Sequence, residues 1–204
     1  MIDKNKIIIR KAVRTDDVKQ IAKLIYSSDL NIYGAMFGDV NCAARILQEL
    51  ISTETINISI KNLIVAEYEK AVVGMLCFIE EDYMNDREAY KQAFSKLAIE
   101  VPKYFDGVFD VYWQKVIRED FTNAYYISNV AVDEAYQNLG IGKMLLNYFK
   151  ETHKDKPIGL DVVKDNAQAI NAYLKSGFEI VEKEHNNTDL PAPVRMVCHQ
   201  SLKV

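Results

Sequence analysis

The sequence predicts an α/β (α+β) domain in which strands and helices alternate, and three observations carry the prediction. Residues 125–132 (YYISNVAV) are β-branched and aromatic with few breaks, then pass through a polar glycine turn into a helix with Leu145, Leu146 and Phe149 on one face. A second strand-to-helix unit follows at once, residues 158–163 (IGLDVV) leading into 166–177. Upstream, the chain reads strand, helix, helix and then a β-hairpin. With 204 residues, 49% of them hydrophobic, the chain fits a single domain over 1–204 and can bury a full core.

Taken in order, residues 6–13 (KIIIRKAV) form a first strand, and Thr15-Asp16-Asp17 supply an N-cap for a helix carrying Val18, Ile21, Ala22, Leu24 and Ile25. Residues 27–40, with Gly34 and Gly38, read as an irregular segment between two helices, and Tyr33, Met36 and Phe37 make it apolar enough to be more than a linker. Residues 41–51 give a second helix with Ala43, Ile46, Leu47 and Leu50 on one face. Residues 62–68 and 71–79 are strands joined at Glu69-Lys70.

Residues 80–122 read as a helical insertion folded over one end of the sheet. Tyr90, Phe94, Leu97 and Ala98 have helical spacing ended by Pro102, and Val108, Val111, Tyr112 and Val116 suggest a second helical run; the only tryptophan, Trp113, is here too. Two roles are open to this insertion, shaping a pocket or making a homodimer interface. Downstream, the helix beginning near Asn166 is expected to turn Ala169, Ile170, Tyr173 and Leu174 inward and to end at Gly177. Residues 178–182 and 194–202 complete the strands, with Pro191-Ala192-Pro193 between them.

Charge and cysteine usage exclude several classes. A net charge of −4 with no basic run argues against nucleic acid as a partner, while weakly favouring a cationic substrate. No apolar stretch reaches the length of a signal peptide or a membrane span, so a cytoplasmic protein with no membrane partner is expected. Cys42, Cys77 and Cys198 are scattered, without a CxxC pair, so neither a metal nor a disulfide is expected.

The chemistry lies in the glycine turn. Gly140 and Gly142 let the backbone approach a ligand with its N–H groups forward, and the helix that follows adds the positive end of its dipole, an arrangement suited to phosphate. A P-loop is excluded, since Gln137 stands where its first glycine belongs and Met144 where Ser or Thr belongs. The dinucleotide fingerprint is excluded by Leu145 at its third glycine.

Gln137-x-x-Gly140-x-Gly142 resembles the pyrophosphate loop (Q/R-x-x-G-x-G/A) of the GNAT superfamily of N-acetyltransferases. Asn166, Ala169, Tyr173, Gly177 and Phe178 resemble the second block of the same superfamily, N-x-x-A-x-x-x-Y-x-x-x-G-F, and Arg10, Ala12 and Asp16 resemble its common opening. The resemblance spans the chain except residues 80–122. It implies a mixed, mostly antiparallel sheet with helices on both faces, in which two central parallel strands, 125–132 and 158–163, splay into a V that admits acetyl-CoA. Val130, Ala131 and Val132 would pair with the pantetheine amides. Gln137, Asn138, Leu139, Gly140, Ile141, Gly142 and Lys143 would hold the pyrophosphate, and Asn166 would touch the CoA arm.

Tyr173 falls where family members keep a tyrosine that protonates the departing thiolate, with a core aromatic as the alternative. Tyr126 occupies the position where some members carry a glutamate base. The base is therefore open among Ser128, through a bound water, and Glu80 or Glu81; His153, His185 and His199 are not expected to serve. The implied activity is transfer of an acetyl group from acetyl-CoA to a primary amine of a small molecule or peptide, by direct attack on the thioester and without a metal. Two alternatives are a non-catalytic acyl-CoA-binding or regulatory module and, on the glycine turn alone, a nucleotide-binding protein. The acceptor amine is not encoded in any motif.

Overall fold

The computed structural model describes residues 2–53, 58–80, 87–110, 123–181 and 193–199. Seven strands form one sheet: β1 (Ile7–Lys11), β2 (Leu63–Tyr68), β3 (Ala71–Ile79), β4 (Tyr125–Val132), β5 (Ile158–Val162), β6 (Glu179–Ile180) and β7 (Val194–Cys198). Their order is β1-β2-β3-β4-β5-β7-β6. Every neighbouring pair is antiparallel except β4 and β5, which run parallel. This is the mixed, mostly antiparallel sheet expected from the sequence.

Among the described residues seven α-helices accompany it: α1 (Val18–Ser28), α2 (Leu30–Phe37), α3 (Val40–Ile51), α4 (Arg87–Lys96), α5 (Phe105–Phe109), α6 (Ile141–Thr152) and α7 (Ala167–Leu174). The central strands are apolar at almost every position because both faces are covered, and the period of two divides them. Leu63, Val65, Met75 and Cys77 join the core under α1 and α3, while Ile64, Ala66, Val73 and Leu76 join the core under α6. The β2–β3 hairpin turns on Glu69 (φ 49°) and Lys70 (φ 70°), the two left-handed residues that a twist-matched two-residue turn requires. Gly74 is needed for a different reason. A Cβ there would lie 3.2 Å from both the Ala131 carbonyl oxygen and Ile141, so glycine lets α6 sit close against β3 and β4. Arg10 bridges Asp16 (2.6 Å) and Glu67 (2.6 Å), which ties β1, β2 and the entry to α1 together. The opening residues Arg10 and Asp16 are thus structural.

Three expectations are corrected. The segment expected to be irregular holds the helix α2: Asp29 caps its N-terminus through the Ile32 N–H (3.0 Å), Gly38 (φ 80°) ends it, and Tyr33, Met36 and Phe37 are buried at helical spacing. The insertion carries a shorter first helix than expected, ending at Lys96 rather than at Pro102. In its described part, α4 and α5 pack on α3 and α2, and Phe94, Phe105 and Phe109 are buried in the α1–α3 core. Phe37 stacks on Tyr33 at 5.8 Å and on Tyr90 at 6.2 Å, so aromatic rings run unbroken from α2 into the insertion. Helix α4 ends before Ala98 and well before Pro102, because Ala98 turns left-handed (φ 52°) and the N–H groups of Ala98 and Ile99 bond the Ser95 and Phe94 carbonyls. Val111, Tyr112, Trp113 and Val116 lie outside the described residues, as does the loop at Pro191 and Ala192.

The third correction concerns α7, which contains no fully buried residue; Ala169, Ile170 and Tyr173 are half-buried, but Leu174 is 44% exposed rather than inward. The helix borders a cleft where the sheet has split and finds no continuous apolar surface beneath its last turn. Its ends follow the sequence closely: Asn166 caps it through the Ala169 N–H (3.0 Å), and Gly177 (φ 85°) closes it.

Candidate active site

Parallel pairing of β4 with β5 is limited to Tyr125, Tyr126 and Ile127 against Ile158, Gly159 and Leu160. Beyond Ile127 the strands part, while β4 continues to Val132 on β3 alone. Among the described residues the edge of β4 from Ser128 onward is therefore open, and an open strand edge is a template for any extended arm that carries amides. At the parting lies a cleft of about 130 Å³. Its walls are the α1–α2 junction (Ser28, Asp29, Tyr33), β4 with Ser128 and Val130, Asp161 on β5, and α7 with Asn166 and Tyr173. Ala131 and Val132 continue the open edge toward the glycine turn.

That turn is built from left-handed residues. Asn138 (φ 62°) and Gly140 (φ 84°) reverse the chain, and α6 begins at Ile141 with no side-chain cap. The first helical bond is from the Met144 N–H to the Gly140 carbonyl, so the N–H groups of Ile141, Gly142 and Lys143 precede it and point out of the helix end. Nothing lies within 4 Å of where a Cβ would stand on Gly140 or Gly142, which leaves both approachable by a ligand. Gln137 folds back, donating from Nε2 to the Val132 carbonyl (3.2 Å), and so fixes the turn against the end of β4; Leu139 is half-buried beside the α6 core. Gly140→Ala meets no steric obstacle, so its expected cost is the left-handed backbone alone, about 1 kcal/mol. Urea denaturation reads that loss.

Tyr173 reaches the cleft from the opposite wall. Its ring meets Phe178 edge-on at 5.7 Å, no described residue takes its hydroxyl, and burial pushes the phenol up to about 12. It is a protonated acid at any physiological pH. Ser128 lies on the irregularity that shifts the β3–β4 register, and its Oγ donates to the Cys77 carbonyl (3.3 Å). Asn166 spends Oδ1 on capping α7 and has its amide nitrogen available toward the cleft.

The other base candidates are placed elsewhere. Glu80 ends β3 on the surface, where its charge acts on Tyr125 and His153, away from the cleft lining. His153 is stacked on Phe149 at 4.3 Å and its pKa is lowered, chiefly by burial. His199 is exposed, and Glu81 and His185 lie outside the described residues. Among the described residues no group of His, Cys, Asp or Glu is arranged to hold a metal, and no helix is long and apolar enough to cross a membrane.

Two polar networks under the cleft escape sequence reasoning. Arg195 on β7 holds Asp161 with Nε and Nη2, both at 2.8 Å, and the Tyr126 hydroxyl donates to the same carboxylate at 3.3 Å. Asn129 accepts from the Tyr33 hydroxyl (3.1 Å) and donates to Ser28 Oγ (2.8 Å). The first leaves a trace in the sequence, a lone Asp and a lone Arg inside apolar strands; the second leaves none.

A mixed sheet split between its two parallel strands, with a bare helix N-terminus at one end of the open edge and the half-buried Tyr173 phenol at the other, defines an acyltransferase-type α/β fold. The model of the acetyltransferase (GNAT) family matches residues 48–178, and the chain belongs to that family. Among solved structures, an acetyltransferase is 22% identical with a TM-score of 0.68, over 94% of this chain and 98% of its own. An N-acetyltransferase from Staphylococcus aureus Mu50 is 20% identical with a TM-score of 0.69, over 93% and 98%. Naa50 from Arabidopsis thaliana, solved with the bisubstrate analogue CoA-Ac-MVNAL, is 18% identical with a TM-score of 0.50, over 94% and 97%. These are likenesses of fold. No curated protein matches the sequence.

Proposed function

We propose that the protein is an acetyl-CoA-dependent N-acetyltransferase that acetylates a primary amine of a small molecule or peptide by direct attack on the thioester. The observation that carries this reading is the open edge of β4, which runs from the uncapped start of α6 toward the Tyr173 hydroxyl. Pantetheine amides would extend the sheet along Val130, Ala131 and Val132, with the pyrophosphate on the N–H groups around residues 138–143 and its charge matched by the helix dipole. Gln137 would hold that loop in shape, and the Asn166 amide would donate to the arm. The Val130 N–H would polarise the thioester carbonyl as it gains charge. The amine then forms the new C–N bond, the C–S bond breaks, and Tyr173 gives its proton to the thiolate. A water on Ser128, whose own hydrogen is committed to Cys77, would accept the proton that the amine releases.

The packing of α4 and α5 behind α2, whose Tyr33 lines the cleft, supports a pocket-shaping role for the insertion over a dimer interface. Free thiol released from acetyl-CoA, measured against a panel of amines, tests the reading. Acetylated product is expected with at least one amine. Tight acetyl-CoA binding without turnover would instead favour the regulatory module, and binding of ATP or NAD in place of CoA would overturn both.

A further inference from the structure

We infer that Lys150 is a positioning residue for the acid Tyr173: it pins the end of α7 to α6 and so fixes the phenol relative to the turn that would hold the pyrophosphate. The inference rests on the N-acetyltransferase reading and adds the residue that keeps its acid in place. The two helices are held very differently. α6 lies against β1, β2, β3 and β4, with Ile141, Leu145, Leu146 and Phe149 buried. α7 has no fully buried residue, and its main partner in the sheet is the two-residue strand β6. The Asn166 cap shapes the first turn of α7 from within and does not tie it to anything else. A helix with so little apolar contact shifts at low cost unless polar bonds hold it.

Two contacts hold the end that carries Tyr173. Phe178 is buried in the α6 core and meets the Tyr173 ring edge-on. Lys150 supplies the other, its Nζ donating to the Ser176 carbonyl at 2.6 Å. Ser176 is only 5% exposed and belongs to the closing turn of α7. Its N–H and that of Phe178 both bond the Tyr173 carbonyl, at 2.9 and 3.1 Å, and its Oγ bonds the Ala172 carbonyl at 2.8 Å. What holds Ser176 therefore holds the Tyr173 peptide unit, and with it the phenol.

Charge strengthens the tie. Lys150 stands in the last turn of α6 and reaches just past the end of α7, so its ammonium lies near the negative ends of both helix dipoles. A bond from a charged donor is stronger than one between neutral groups. α6 begins at the glycine turn and α7 at Asn166 on the cleft wall, so a bond between their far ends sets how the two helices stand to each other.

Lys150→Met keeps the aliphatic stem and removes the donor. With the whole protein and acetyl-CoA, kcat should fall about tenfold as the acid is misplaced, while acetyl-CoA affinity changes less than about twofold, since the turn at the other end of α6 is untouched. Deuterium exchange should quicken at the amides of α7 and stay at wild-type rates in α1 and α6. Lys150→Arg, which keeps a charged donor, should recover most of the rate, and Lys150→Gln, a neutral donor, should fall between. The deciding variant combines Lys150→Met with Tyr173→Phe. With no acid left to misplace, Lys150→Met should cost nothing further there. The same tenfold fall in both backgrounds, or wild-type kcat in Lys150→Met, would overturn the inference alone. Full turnover by Tyr173→Phe would remove the acid role and this inference while leaving N-acetylation standing. Absence of turnover by the wild-type protein with every amine would overturn the N-acetyltransferase reading and this inference together.

Discussion

Replacing Tyr173 with phenylalanine is expected to cut kcat by about a hundredfold or more, the usual contribution of a positioned general acid, while acetyl-CoA affinity changes less than twofold. The substitution removes one oxygen and nothing else. The ring keeps its edge-on contact with Phe178, and no described residue loses a hydrogen bond, so stability should hold. Burial of Tyr173 favours its uncharged form and pushes the pKa up to about 12, so the proton to be donated is present across the whole working range. The pH profile of kcat should therefore show no alkaline fall from this group below pH of about 10, since a group with a raised pKa keeps its proton until the pH nears that value. The acid assignment does not survive if the variant turns over at the wild-type rate in a thiol-release assay.

The second large effect is on stability. Asp161→Ala should destabilise the fold by about 3–5 kcal/mol, the range for breaking a buried ion pair from one side. The Asp161 and Arg195 side chains are only 5% and 9% exposed, and the two charge-assisted bonds between them span adjacent strands in direct register. Burial alone already works against the charged guanidinium, as the lowered pKa of Arg195 records, so removing the carboxylate takes two charge-assisted bonds from a cation that water scarcely reaches. Replacing both members, Asp161→Leu with Arg195→Met, should recover most of the loss because no buried charge then remains. Urea midpoints of the single and double variants decide the matter. A loss under about 1 kcal/mol in the single variant would mean that the pair behaves as a surface bridge.

What was legible in the sequence is what local physics encodes. The span of β4 is read correctly from residues 125–132 because a doubly covered strand is a continuous apolar run. The start of α7 at Asn166 and its close at Gly177 are legible because caps and left-handed glycines are single-residue signals. Helix α2 is missed because Gly34 and Gly38 outweigh a short apolar pattern, and Leu174 is misjudged because helical spacing cannot show that the sheet beneath has parted. The glycine turn and Tyr173 sit in contiguous blocks, so sequence alone nominates them. The network on the α1–α2 side of the cleft joins Tyr33 to Asn129 across 96 residues and Ser28 to Asn129 across 101, and no local pattern carries such pairings. The surroundings of Glu80 are hidden for the same reason: it looks well placed at a strand end, and only the folded sheet shows it turned toward Tyr125 and His153.

The contrast between the two walls of the cleft has a consequence for motion. On the α1–α2 side, Tyr33 belongs to the ring system that continues through Phe37 and Tyr90 to Phe105 and Phe109, all buried. Opening that side would expose the whole aromatic assembly, so it yields only when the domain unfolds. The facing wall is α7, with no fully buried residue and an exposed last turn. Local opening there forfeits little apolar contact, and amides of α7 are the ones to exchange with solvent through sub-global fluctuations. The fold thus joins a rigid wall to a yielding jaw, and the jaw is the part that carries Tyr173.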